Sequence, residues 1–115
     1  MENLNSFQIR VTFSVPAELL EEFKEIVSVE ESSIPKVISQ FMFNYTNFLD
    51  KSFIKTQGIL KGKLARLVFL VSEEICTKFK KKAEREKIWP SLAIAQFMRN
   101  YVDFTNVNEK KDRRT

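Results

Sequence analysis

The sequence predicts a mainly α fold with two short strands, laid out as β-α-α-linker-β-α-α and built from two copies of one strand-helix-helix unit. Three observations lead there. The stretch Gln40-Phe41-Met42-Phe43-Asn44-Tyr45 returns 56 positions later as Gln96-Phe97-Met98-Arg99-Asn100-Tyr101. The same offset, without a gap, lays Arg10 on Arg66, Phe13 on Phe69, Val15 on Val71, Glu18 on Glu74, Phe23 on Phe79, Lys24 on Lys80, Glu30 on Glu86, Ile38 on Ile94 and Phe48 on Phe104, as an internal repeat does. Within each copy, a stretch of period two is followed by two stretches of helical period.

A lone unit of about 45 residues is near the size at which a domain needs a metal, a disulfide or a partner. The chain has no His, and Cys76 is its only Cys, so the two copies must bury their apolar faces on each other, directly or by exchange between chains. Residues 1–115 therefore read as one intertwined domain, with a first unit at 7–49, a linker at 50–62, a second unit at 63–104 and a flexible charged tail at 105–115.

Residues 1–6 are polar and expected to be loose. From Gln8 to Val15 the chain alternates: Ile9, Val11, Phe13 and Val15 take one face, Gln8, Arg10, Thr12 and Ser14 the other, which describes a half-buried strand. Pro16 suits the first turn of a helix, for which Ser14 is a candidate cap. That helix sets Leu19, Leu20, Phe23, Ile26 and Val27 on one side and Glu18, Glu21, Glu22 and Glu25 on the other. Ser33-Ile34-Pro35 opens the next helix, with Ser33 as N-cap. Its stripe is Val37, Ile38, Phe41, Met42, Tyr45, Phe48 and Leu49, and Phe43 lies opposite and exposed. The linker holds both glycines, Gly58 and Gly62. At roughly 3.3 Å per residue it reaches up to ~40 Å, enough to return within the chain or to cross to another. In the second unit Ala65, Leu67, Phe69 and Val71 face inward and Leu64, Arg66, Val68 and Leu70 outward. A helix from Ser72 to about Arg85 follows, then one beginning at Trp89-Pro90 with the stripe Ala93, Ile94, Phe97, Met98, Tyr101 and Phe104.

The net charge of +4 is unevenly spread. Residues 1–50 carry three basic and eight acidic side chains, whereas residues 63–115 carry thirteen and seven. A polyanion would meet the second half first. A single thiol fits a reducing compartment, and the absence of a signal peptide or an apolar run of spanning length leads to the expectation of a soluble, cytoplasmic protein with no membrane partner. Without His, paired carboxylates or phosphate-cradling glycines, an enzyme is not expected, and neither is a metal or other cofactor. Cys76 reads as a packed side chain and the lysines from Lys78 to Lys82 as a solvated helix face.

The alternating Arg10-Val11-Thr12-Phe13-Ser14-Val15-Pro16, the Ser33 helix start and the Ile38/Phe41/Met42/Tyr45 stripe, each with its counterpart, resemble the ribbon-helix-helix family of DNA-binding proteins. The resemblance covers residues 8–49 and 64–104. It implies that the two strands pair antiparallel as a ribbon over four helices, both halves lying in one polypeptide as a tandem, pseudo-dimeric ribbon-helix-helix. Such tandem forms occur among regulators of archaeal viruses, which would place the protein in a host cytoplasm.

The resemblance further implies a regulator, such as a repressor, that reads double-stranded DNA in the major groove with the outward face of its ribbon. The base-reading positions would be Arg10, Thr12 and Ser14 with Arg66, Val68 and Leu70. Arg10 and Arg66 suit guanine O6 and N7, and Val68 or Leu70 a thymine methyl. The start of the second helix would hold phosphate, which carries over to Ser33, Ile34 and Lys36, and to Trp89 and Ser91. An outward Arg or Thr is ordinarily just a solvated strand residue; the repeat lifts these above that reading. The unequal triplets predict an imperfect palindrome as target. Phe43, replaced by Arg99 in the second copy, is the candidate for self-association on adjacent DNA sites. The rival readings are an antitoxin-like or other protein-interaction module, a non-specific architectural coat on DNA, and a helix-turn-helix.

Overall fold

The structure, a computed structural model, describes residues 7–56 and 58–114. Strand β1 (Gln8–Pro16) runs straight into helix α1 (Ala17–Val29), and α2 (Ile34–Phe48) follows after a tight turn. The connection holds one 3₁₀ turn, Lys51–Phe53, before strand β2 (Leu64–Ser72), α3 (Glu73–Arg85) and α4 (Pro90–Arg114). Among the described residues no helix is long and apolar enough to cross a membrane.

The two strands pair antiparallel along their whole length, Gln8 opposite Ser72 and Pro16 opposite Leu64. Related bonds close both ends of the ladder, from Ala17 N–H to the Lys63 carbonyl at 3.0 Å and from Glu73 N–H to the Phe7 carbonyl at 2.7 Å. Alternation then buries Val11, Phe13 and Val15 with Leu67, Phe69 and Val71 on one face of the ribbon. A two-stranded sheet is stable only with such a face packed, and four helices cover it. Helix α1 packs chiefly on α4, and α2 on α3, so the contacts run across the two halves.

The offset of 56 becomes a pseudo-twofold axis in the core. The rings of Phe41 and Phe97 stack with centroids 4.5 Å apart and planes at 16°. Above them Phe13 and Phe69, also equivalent, lie 6.0 Å apart. Around that axis Phe79 meets Tyr45 at 5.7 Å edge-on, as Phe23 meets Tyr101 at 5.4 Å. The outer ends of these tyrosines make matching bonds: Tyr45 Oη donates to Glu86 and Tyr101 Oη to Glu30, the residues that close α3 and α1. Beyond each cap the chain turns through a left-handed residue, Glu31 (φ 57°) and Lys87 (φ 59°). Ser32 N–H then returns to the Val27 carbonyl and Ile88 N–H to Ala83, in the manner of a helix terminus that usually places glycine there.

The predicted fold class, mainly α with a two-stranded antiparallel ribbon in a tandem ribbon-helix-helix order β-α-α-linker-β-α-α, is corrected by this structure. The observed order is one two-stranded antiparallel sheet with four helices as β-α-α-3₁₀-β-α-α, compatible only in part with two β-α-α units. The reason lies in the connection, which is part of the packed body. Asp50 caps the 3₁₀ turn, accepting from Ser52 N–H at 2.9 Å and from the Ser52 hydroxyl, bonds that hold its carboxyl below the ordinary carboxylate range. Phe53 lies 5.4 Å from Phe41 and 6.5 Å from Tyr45, and Ile59 is buried. The chain thus returns upon itself through a structured segment.

The helices also end differently in the two halves. The Lys82 ammonium donates to the carbonyls of Tyr45, Thr46 and Leu49 at the end of α2, where a cation is favoured. Its counterpart on α1 is Ile26, and α4 runs on past Thr105, where the composition predicts its end, to Arg114. Residues 1–6 and Thr115 lie outside the described residues. Two further expectations are revised. The N-cap of α1 is Pro16, which has no side-chain oxygen, while Ser14 points outward. Phe48 and Phe104 are 74% and 68% exposed. They have the right phase, but the helices they would pack on end one turn earlier, at Glu86 and Glu30.

Identical residues carry unequal loads. Gln96 is buried, accepts from Lys55 N–H at 3.1 Å and Thr56 N–H at 2.9 Å, and donates to Asn100 at 2.9 Å. Its equivalent Gln40 is exposed and donates to Asn44 at 3.2 Å. In urea denaturation, Gln96→Leu is expected to cost about 2 kcal/mol, because it strips an acceptor from two backbone amides, and Gln40→Leu less than about 0.5 kcal/mol. Replacing Lys82 by the residue at its equivalent position, Lys82→Ile, is expected to cost about 1–2 kcal/mol by uncapping α2, read as a lower thermal midpoint.

Alkaline pH should expose the tyrosine bonds. Burial first, then the hydrogen bond and charge of Glu30, pushes Tyr101 up to about 12. Burial and Glu86 raise Tyr45 further. An unfolded tyrosine titrates near pH ~10, so the stabilisation is complete below that pH and is lost as pH rises through the folded values. The melting temperature is expected to stay level up to about pH 10 and then fall, with a shallower fall in Tyr45→Phe/Tyr101→Phe.

Candidate nucleic-acid interface

With one ribbon face buried under the helices, the other is exposed among the described residues. Its outward residues meet as cross-strand pairs: Arg10 opposite Leu70, Thr12 opposite Val68, and Ser14 opposite Arg66. All six are exposed, so the structure brings the predicted base-reading positions into one patch of three pairs. The pseudo-axis leaves this patch between Thr12 and Val68, which sets the two arginines at opposite corners. Neither strand contains an acidic residue, and the patch is therefore cationic. It is also one-third apolar, Val68 being 49% and Leu70 51% exposed.

Of the predicted phosphate-holding residues, Ile34 lies on one flank of this patch and Trp89 and Ser91 on the other. A groove of about 520 Å³ is lined by Ile34 and Pro35 of α2 together with Lys24, Arg66 and Val68, which puts the first turn of α2 beside β2. On the other flank Trp89, Pro90 and Ser91 share a smaller cleft of about 270 Å³ with Ser14, Leu64 and Leu60. Local chemistry sorts these residues. Ser33 Oγ accepts from Lys36 N–H at 3.3 Å, so that amide is occupied, while the hydroxyl proton remains free to donate. Ile34 N–H, at the first position of α2, has no acceptor within the helix. Lys36 is exposed and offers its ammonium. Trp89 is 74% exposed, its carbonyl accepts from Leu92 N–H at 2.9 Å, and its indole N–H is a donor.

Lys24 belongs to this surface and is absent from the sequence-derived set. The signal for it was its equivalence with Lys80, a cation kept at one position of both units. The flank of α4 is not a copy of the flank of α2, because Leu60 from the connection enters its cleft.

Elsewhere the side chains offer little chemistry. Burial raises the Cys76 thiol above its ordinary value, only partly offset by Lys80, and a buried thiol of that kind is a poor nucleophile. Among the described residues no three His, Cys, Asp or Glu side chains converge as metal ligands would. Comparisons with family models, curated proteins and solved structures find no match to this chain.

Proposed function

We propose that this protein is a sequence-specific double-stranded-DNA-binding transcription regulator that reads the major groove with the outward face of its ribbon. The observation that carries the reading is the acid-free patch of three cross-strand pairs with the first turns of α2 and α4 on its two flanks. A two-stranded ribbon fits a major groove about 12 Å wide. Arg10 and Arg66 are offset by four residues along the strands, about 14 Å. That is about four base-pair steps at ~3.4 Å each, so two guanines on opposite strands suit them. Thr12 and Val68 lie between the arginines, and Val68 and Leu70 suit thymine methyl groups. Ser33, the Ile34 amide, Lys24 and Lys36 then hold one phosphate backbone, with Ser91 and Trp89 against the other. The likeness to ribbon-helix-helix proteins enters through this mode of reading.

The apolar pair of the patch supports a second reading, a protein-interaction module in which Val68 and Leu70 meet a partner. Selection from random duplex DNA separates the two. The wild type is expected to recover an imperfect palindrome, and Arg10→Ala/Arg66→Ala to lose the motif, each arginine being worth about 1–3 kcal/mol of base discrimination. Lys36→Ala should weaken binding to all sequences alike and flatten the salt dependence by about one unit of slope. Tight binding without a motif would point to an architectural coat, and no binding at low salt to the interaction module.

A further inference from the structure

The pseudo-symmetry that orders the core fails on the flanks. On α1, Glu18, Glu22, Glu25 and Val29 recur at intervals of four, three and four residues and form one exposed stripe. The same positions of α3 hold Glu74, Lys78, Lys81 and Arg85, also exposed. Over about 16 Å of helix, one flank is acidic and its equivalent is basic. The neighbouring helices differ too. Beside the acidic stripe, Arg99 of α4 lies 3.9 Å from Glu22 and 3.2 Å from Asp103. Its equivalent beside the basic stripe is Phe43, 46% exposed, which lines an open groove of about 280 Å³ with Asn47, Ile75 and Lys78. Because the strands are antiparallel, α1 and α3 leave opposite ends of the ribbon, and the two flanks lie on opposite sides of the axis.

We propose that the α1 flank of one molecule docks on the α2–α3 flank of a second copy, head to tail. Two like flanks would set like charges against each other, whereas unlike flanks are complementary. The intervals also select a direction. With the helices antiparallel, Glu18 meets Arg85, Glu22 meets Lys81 and Glu25 meets Lys78 of the second copy, and Val29, itself 74% exposed, comes to the end of α3 where Glu74 and Phe43 lie. With the helices parallel, Glu18 would face Glu74 and only two favourable pairs would remain. A contact between unlike surfaces leaves a free flank at each end, so it builds rows rather than closed dimers.

Sedimentation of the protein without DNA tests this independently of the DNA-binding reading. At about 0.05 M salt the weight-average mass is expected to rise with concentration above the monomer's, and at about 1 M salt, where screening acts within ~3 Å, to return to it. The monomer mass is 13.5 kDa. Lys78→Glu/Lys81→Glu and Glu22→Lys/Glu25→Lys, each checked by circular dichroism, are each expected to stay monomeric alone. An equimolar mixture should associate again, because each variant then presents the flank the other lacks. Phe43→Ser is expected to weaken wild-type association about tenfold. A wild type that remains monomeric at low salt, or a mixture that does not recover, overturns the proposal. So does a wild-type monomer whose Lys78→Glu/Lys81→Glu variant loses affinity for a single duplex site, since the basic stripe would then serve DNA.

Discussion

The contact of Phe41 with Phe97 is the constraint on which the rest of the structure depends. Each ring belongs to a unit too small to bury it alone, and each finds its nearest aromatic neighbour in the other unit's equivalent ring. Placing the two face to face fixes an axis. The helices must then cross, α1 to α4 and α2 to α3, and Phe13 and Phe69 come together beneath the ribbon. The tyrosines follow one turn away, and their hydroxyls reach the caps of the opposite unit. The outward patch inherits its geometry from this arrangement, because the axis through the phenylalanines emerges between Thr12 and Val68.

The connection breaks the symmetry that the rings impose. It packs Phe53 on one side of the axis, buries Ile59 and draws two amides onto Gln96, and among the described residues no equivalent segment reaches Gln40. Lys82 ends α2 by holding its carbonyls, and Ile26 has no charge with which to do the same for α4. The two cradles beside the ribbon therefore differ in shape, one open to Lys24 and the other entered by Leu60.

Much of this was legible from residues alone where a local period decides the outcome. Alternation assigned the inward and outward faces of both strands, and the gapless offset announced that two units share one core. The fold class was not legible as written, because the residues at 50–62 show no period by which to recognise a turn that packs. Gln40 and Gln96 are the same residue in the same hexapeptide; only the path of the connection separates an exposed side chain from a buried one. Phe48 and Phe104 misled for a related reason, since periodicity reports the face of a helix but not where its neighbour stops. Within the candidate site, strand positions were found by pattern, whereas Lys24 lies on a helix whose other residues face the core or solvent, and proximity to β2 is a tertiary fact.

The structured connection has a thermodynamic consequence of its own. Were the two halves separate chains, dilution would pull them apart, and the folded fraction would depend on how many molecules a cell holds. Joined through 49–63, the two halves meet in a unimolecular step that does not depend on abundance. A single molecule already presents both strands of its ribbon.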